Sequence, residues 1–298
     1  MRTGGMHNLL PSYSEDAEPS AHSSYERYNE TAGAYDSTRT PVGLSILINF
    51  FSCFTIPLKH QHILDAGCGT GSYLYALKDL AGALVGLDGS QAMLTQAAQK
   101  CGNAPNVTLE EGSILELRFP DQAFDGVMIN QVLHHLDPAA DFQHLRKCVG
   151  EVFRVLKPTG AFCINTCSQE QLKAHGPIWY YTVFPEAAGF ITPRYIPVDQ
   201  LCGILAGAGF GGVRVESRPE ECFFAQEQYD DVEGPFREAW RNGDSAFAVY
   251  RDKPDILESR LQEFRKSIED RSIYDIIAQS ERLRERLGQY VVIVARKQ

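Results

Sequence analysis

Ile63-Leu64-Asp65-Ala66-Gly67-Cys68-Gly69-Thr70-Gly71 joins an apolar run to an acidic residue and then to three glycines at alternate positions. The apolar run predicts a buried parallel strand. The glycines let the chain turn sharply and let a ligand approach main-chain N–H groups with no Cβ in the way. Asp65 closes the strand, where its carboxylate can accept from a cationic or hydroxyl-bearing ligand. A glycine-rich turn of this kind also serves nicotinamide and flavin enzymes, but their spacing is G-x-G-x-x-G, whereas here it is G-x-G-x-G.

Roughly 20 residues beyond the loop, Ala83-Leu84-Val85-Gly86-Leu87-Asp88 repeats the pattern of an apolar run ending in an acid, as a ribose-binding carboxylate requires. Gly89-Ser90-Gln91-Ala92-Met93-Leu94 then reads as a turn into a helix. Val107 to Ile114 reads as a third strand with its following loop, and Phe124 to Leu136 as a fourth. Val152 to Phe162, with Lys157-Pro158 inside it, reads as a helix end, a turn and a fifth strand.

Together these segments, covering residues 60–167, resemble class I S-adenosylmethionine-dependent methyltransferases, in particular the small-molecule and quinone-biosynthesis branch. The resemblance implies an α/β fold: a Rossmann-like, doubly wound, seven-stranded sheet, mostly parallel with strand seven antiparallel. It carries an N-terminal helical cap (25–59) and a helical insertion between strands six and seven. It implies S-adenosyl-L-methionine as cofactor. Asp65, Gly67, Cys68, Gly69 and Gly71 would hold its methionine side, Asp88 and Gly89 its ribose, and Met93, Ser113 and Ile114 would flank its adenine. Asn130 and Gln131 would shape the loop beneath the sulfonium. Many relatives carry Asp where this chain has Ser113, whose hydroxyl accepts from the adenine amino group more weakly. In the cap of such enzymes a Tyr and an Arg reach over the cofactor, and Tyr28 and Arg39 match them. His134 and His135 are the candidates for a general base. Trp179, Tyr180, Tyr181 and Phe184 crowd the segment 168–198, which in this family often lines the acceptor pocket.

The bulk properties narrow the partners. The 298 residues carry a formal charge of −10 with no basic stretch, which disfavours nucleic acid as a substrate. Eight cysteines with no C-x-x-C pair predict reduced thiols and a cytoplasmic protein without a metal site. Val42 to Leu58 is rich in Leu, Ile and Phe but short of the roughly 20 residues that span a bilayer. It predicts a buried helix over one sheet face. Residues 1–24, rich in Ser, Gly, Glu and Pro, predict a disordered tail, and residues 25–298 a single methyltransferase domain.

After the fifth strand, Pro197 to Phe210 predicts a helix, Val213 to Glu216 strand six and Tyr290 to Ala295 strand seven. The intervening insertion, 218–289, contains two charged helical stretches, Pro254 to Ile268 and Ile273 to Leu287. It is expected to shape the acceptor site or to make a homodimer contact. Three readings compete with a small-molecule methyltransferase. One is a protein methyltransferase that docks its partner on the insertion. Another is a non-catalytic cofactor-binding assembly protein. The third, an NAD-dependent dehydrogenase, is disfavoured by the glycine spacing.

Overall fold

A computed structural model of the protein describes residues 40–298 except positions 103, 137 and 138. Tyr28, Arg39 and the 1–24 segment lie outside the described residues.

The central apolar runs become strands because they are buried on both faces, whereas the two edge strands of the sheet are only partly buried. They are β1 (His62–Ala66), β2 (Ala83–Asp88), β3 (Val107–Glu111), β4 (Phe124–Asn130), β5 (Leu156–Thr166), β6 (Phe210–Glu216) and β7 (Val291–Lys297). They form one sheet in the order β3-β2-β1-β4-β5-β7-β6. β1 pairs in parallel with both β2 and β4, Leu64 opposite Val85 on one side and Val127 on the other. β7 runs antiparallel between β5 and β6, so the expected seven-stranded, mostly parallel sheet is the observed one. The strand order reverses between β1 and β4, and the carboxyl ends of these strands open the crevice where ligands bind in open α/β sheets.

The longer helices are α1 (Leu44–Ser52), α2 (Ser72–Leu77), α3 (Gln91–Cys101), α4 (Ala139–Val155), α5 (Pro185–Ile191), α6 (Val198–Gly207), α7 (Pro254–Glu269) and α8 (Ile273–Leu287). α1 is the helix expected over one sheet face, but it ends at Ser52 rather than running on to Leu58. It buries Ile46, Leu47, Phe50 and Phe51, and the Phe51 ring lies so close over Gly126 of β4 that a Cβ there would sit 2.6 Å from it. One apolar cluster joins α1 and α2 to the insertion; a second joins α4 and α6 to the other side of the sheet.

Two further details differ from the sequence reading. Lys157-Pro158 is not a turn ahead of the fifth strand but part of it. Leu156 already pairs with Phe124, and the register then slips before Gly126 pairs with Ala161. The slip leaves three extra residues on β5, Thr159 among them at φ 66°, and Lys157 is held by an ion pair to Asp125 at 2.8 Å, so the strand continues through a large bulge. β6 begins three residues earlier than expected, because Gly209 at φ 99° ends the turn after α6 and Phe210 pairs directly with Lys297.

Residues 168–198 fold as three short helices and a 3₁₀ turn. Ser168 and Gln171 cap the first reciprocally. The insertion locks onto this segment through buried polar contacts. Trp179 Nε1 donates to the Tyr229 carbonyl (2.9 Å), Tyr229 Oη to the Pro177 carbonyl (2.9 Å), and Gln171 Nε2 to the Leu287 and Tyr290 carbonyls (2.8 and 3.0 Å). Glu186 on α5 pairs with Arg260 on α7 at 2.7 Å and accepts from Tyr250 Oη. These bonds hold its carboxyl well below the usual range, to about 2.

Candidate functional site

The glycine loop owes its shape to the end of β2. Gly67 and Cys68 donate their N–H groups to the Leu87 carbonyl (2.7 and 2.9 Å). The Asp88 carboxylate then accepts from Gly69 N (2.8 Å) through one oxygen and from Ser90 N (2.9 Å) through the other, so Gly89 sits in a turn closed by Asp88. Ser90 caps α3 by accepting from Met93 N. Gly67, Gly69 and Gly71 all have positive φ (83°, 51° and 77°). A Cβ at Gly67 would meet Val132 at 2.5 Å, whereas one at Gly69 would meet no described atom within 4 Å. Gly67 therefore serves close packing, and Gly69, its N–H held by Asp88, leaves the space on its Cβ side open to an incoming ligand.

Asp65 is fully buried. Its Oδ1 accepts from Asn130 Nδ2 at 3.1 Å, but its Oδ2 and Asn130 Oδ1 have no hydrogen-bond partner among the described residues. Burial raises the Asp65 pKa to about 7, opposed by the Asn130 bond and reinforced by the charge of Asp88. Two orphaned acceptors side by side are expensive to bury. Their placement at the switch point, on the two strands that part there, marks a socket for a donor-rich, positively charged group. Cys68 next to it is held as a thiol, its pKa pushed far up by burial and then by Asp65. The Ser113 hydroxyl accepts from Leu115 N at 3.2 Å, while Ile114 and Met93 are buried.

A cavity of about 180 Å³ opens past the carboxyl ends of β4 and β5. Gln131, His134, His135 and Tyr195 line one wall. Gln131 is held at φ 55° because its N–H and side-chain amide both donate to Asn165 (2.8 and 3.0 Å). Its side-chain Oε1 accepts from Tyr195 Oη at 3.3 Å, and the Tyr195 ring stacks on His134 with centroids 4.5 Å apart. Gln131 follows Asn130 directly, so the Asp65 socket and the cavity meet at consecutive residues. Of the four aromatics expected to face an acceptor, Tyr181 lines the cavity. Trp179, Tyr180 and Phe184 instead pack into a buried aromatic cluster with Trp240, Phe247 and Phe264. The opposite wall comes from the insertion, including Phe224, Arg241, Asp244 and Phe247, none of which the sequence reading singled out. Asp244 is buried and accepts from Tyr180 Oη, Tyr181 Oη and Ala246 N. Among the described residues no three His, Cys, Asp or Glu side chains group as a metal site, and no helix is long and apolar enough to cross a membrane.

Residues 64–164 match the family described as a methyltransferase domain. A demethylmenaquinone methyltransferase of Lactiplantibacillus plantarum is 36% identical over 132 residues, 42% of this chain and 53% of that protein. One from Bacillus licheniformis is 39% identical over 116 residues, 38% of this chain and 47% of its own length. This segment is a methyltransferase domain similar to those of S-adenosylmethionine-dependent methyltransferases. The aligned part of the chain spans about half the length of these two relatives. Beyond the methyltransferase segment the likeness is one of fold. A crystal structure of a putative methyltransferase from an antibiotic biosynthesis pathway of Anabaena variabilis superposes with a TM-score of 0.67. It covers 88% of this chain and 99% of that one at 23% identity.

Proposed function

We propose that the chain is an S-adenosylmethionine-dependent methyltransferase whose small-molecule acceptor enters the cavity beside Gln131. The observation that carries the cofactor half is the pair of orphaned acceptors, Asp65 Oδ2 and Asn130 Oδ1. S-Adenosylmethionine fits this donor demand, since its amino acid end bears an ammonium group. When bound, it supplies a methyl group on a cationic sulfur as the electrophile. Asp65 and Asn130 would take the ammonium, Gly69 would leave space on its Cβ side, and Asp88 would accept from the ribose hydroxyls while keeping the glycine loop folded. Met93, Ser113 and Ile114 remain the candidates for the adenine edge.

For the acceptor, the small size and aromatic lining of the cavity favour a metabolite over a protein chain. The insertion closes one side, which excludes water and fixes orientation, the two contributions methyl transfer asks of a protein. A protic acceptor would pass its proton to an imidazole nitrogen of His134 or His135, both in the wall. The cysteines, all free among the described residues, favour a reducing, cytoplasmic setting.

Calorimetric titration with S-adenosylhomocysteine, with NAD in parallel, tests the reading. Micromolar binding of the first and none of the second is expected; the reverse would return the chain to the dehydrogenases. The titration carries its own pH signature. A carboxyl whose pKa is raised to about 7 must give up its proton before it can hold an ammonium, so affinity should rise with pH up to about 7 and level off above. Between pH 5.5 and 8.5 the gain should be roughly thirtyfold. Asp65→Asn should bind weakly and flatten the profile. A flat profile in the unaltered protein would take Asp65 out of the cofactor site.

A further inference from the structure

We propose that the acceptor carries a carboxylate, which Arg241 of the insertion binds, with a compact apolar body seated against Phe224 and Phe247. This rests on the reading of the cavity as the acceptor site.

Arg241 ends a short helix, Glu238–Arg241, and lines the cavity half-buried. Its neighbour one turn earlier, Arg237, is exposed and paired with Asp231. Arg241 differs. Among the described residues it forms no ion pair, and its one side-chain hydrogen bond runs from Nη1 to the Pro235 carbonyl at 2.7 Å. Burial draws its pKa below the ordinary arginine value, with Glu238 pulling the other way. Glu238 shares the cavity lining but is exposed, and no ion pair joins the two. The other carboxylate of the wall, Asp244, already accepts from two tyrosine hydroxyls and a backbone N–H, so its charge is answered without Arg241.

A guanidinium taken partly out of water without a counter-charge is costly. The cost is recovered when a bound anion replaces the lost solvation, and the planar fork of donors suits a carboxylate in bidentate geometry. The same lining offers the apolar side chains Ile178, Phe224 and Phe247 beside polar ones that include Asn242 and Arg251, and the space of about 180 Å³ suits a body of about one ring. The nucleophile of such a ligand would then point to the opposite wall, where Gln131 and the two histidines stand.

The test is equilibrium binding of 4-hydroxybenzoate and of indole-3-acetate, each compared with its primary amide. The unaltered protein should prefer at least one acid over its amide by tenfold or more. Arg241→Gln should reduce the preference to less than twofold, and Arg241→Lys should keep part of it. S-Adenosylhomocysteine affinity, measured on the same samples, should not move, which certifies the fold of each variant. Equal binding of acid and amide, no binding of either acid, or a preference that survives Arg241→Gln would overturn the assignment. Loss of S-adenosylhomocysteine binding in the unaltered protein, with the acid preference intact, would strike the cofactor reading and leave the anion site standing.

Discussion

Replacing Asp88 by alanine is expected to weaken S-adenosylhomocysteine binding by about a hundredfold or more while the sheet stays folded. The carboxylate does two things at once in the proposed site. It receives the Gly69 and Ser90 N–H groups at 2.8 and 2.9 Å, and it is the acid we propose for the ribose. Hydrogen bonds to a charged acceptor contribute about 1.5–3 kcal/mol each, and leaving the donors unanswered costs a similar amount. A hundredfold loss corresponds to about 2.7 kcal/mol, so losing the ribose contact and part of the loop geometry together suffices. Global unfolding is not expected, because Gly67 and Cys68 remain tied to the Leu87 carbonyl and β1 keeps its register with β2 and β4. Asp88→Asn should fall between, since the amide still accepts through one oxygen. Calorimetric titration reads the affinity and circular dichroism the fold. An unchanged affinity in a folded Asp88→Ala protein would remove Asp88 from the ligand site.

The loop and the strands around it were legible in the sequence because their causes are local. A positive-φ turn demands glycine where it occurs, and a strand buried on both faces demands an unbroken apolar run. Asp65 and Asp88 could be picked out because each ends such a run. What escaped reading depends on contacts between distant residues. Asp244 meets Tyr180 across 64 positions of the chain, and nothing near Asp244 announces it. Arg237 and Arg241 look alike in sequence; only the fold exposes one and turns the other toward a cavity. The same limit explains the aromatic segment. A run of Trp, Tyr, Tyr and Phe between prolines reports that much apolar area must be covered, but not whether a ligand or the rest of the chain covers it. The bulge at Lys157 is a subtler case, since a Lys-Pro pair reads as a strand boundary unless one knows that Asp125 lies beside it to anchor the lysine.

Trp179→Ala decides between those two uses of the aromatic segment, and its expected effect is a loss of about 4 kcal/mol of stability. The side chain is 1% exposed, packed edge-on against Tyr180 at 5.5 Å and tilted against Phe264 at 6.1 Å. Truncating a buried Trp to Ala costs about 3–5 kcal/mol through lost burial and the cavity left behind. The substitution also strips the Tyr229 carbonyl of the indole N–H that donates to it at 2.9 Å. For a chain of this size the melting temperature should drop by roughly 10 °C, and Trp179→Phe should restore much of it by refilling the space. Because Trp179 joins the segment after β5 to α7, the insertion is the part expected to loosen. The glycine loop is tied instead to β2, so S-adenosylhomocysteine affinity measured well below the melting temperature should be retained. A side chain that faced the acceptor would behave in the opposite way, with the melting temperature little changed and acceptor binding impaired. A thermal scan beside a cofactor titration therefore separates a core residue from a ligand contact, and a melting temperature that holds would overturn the packing assigned to Trp179.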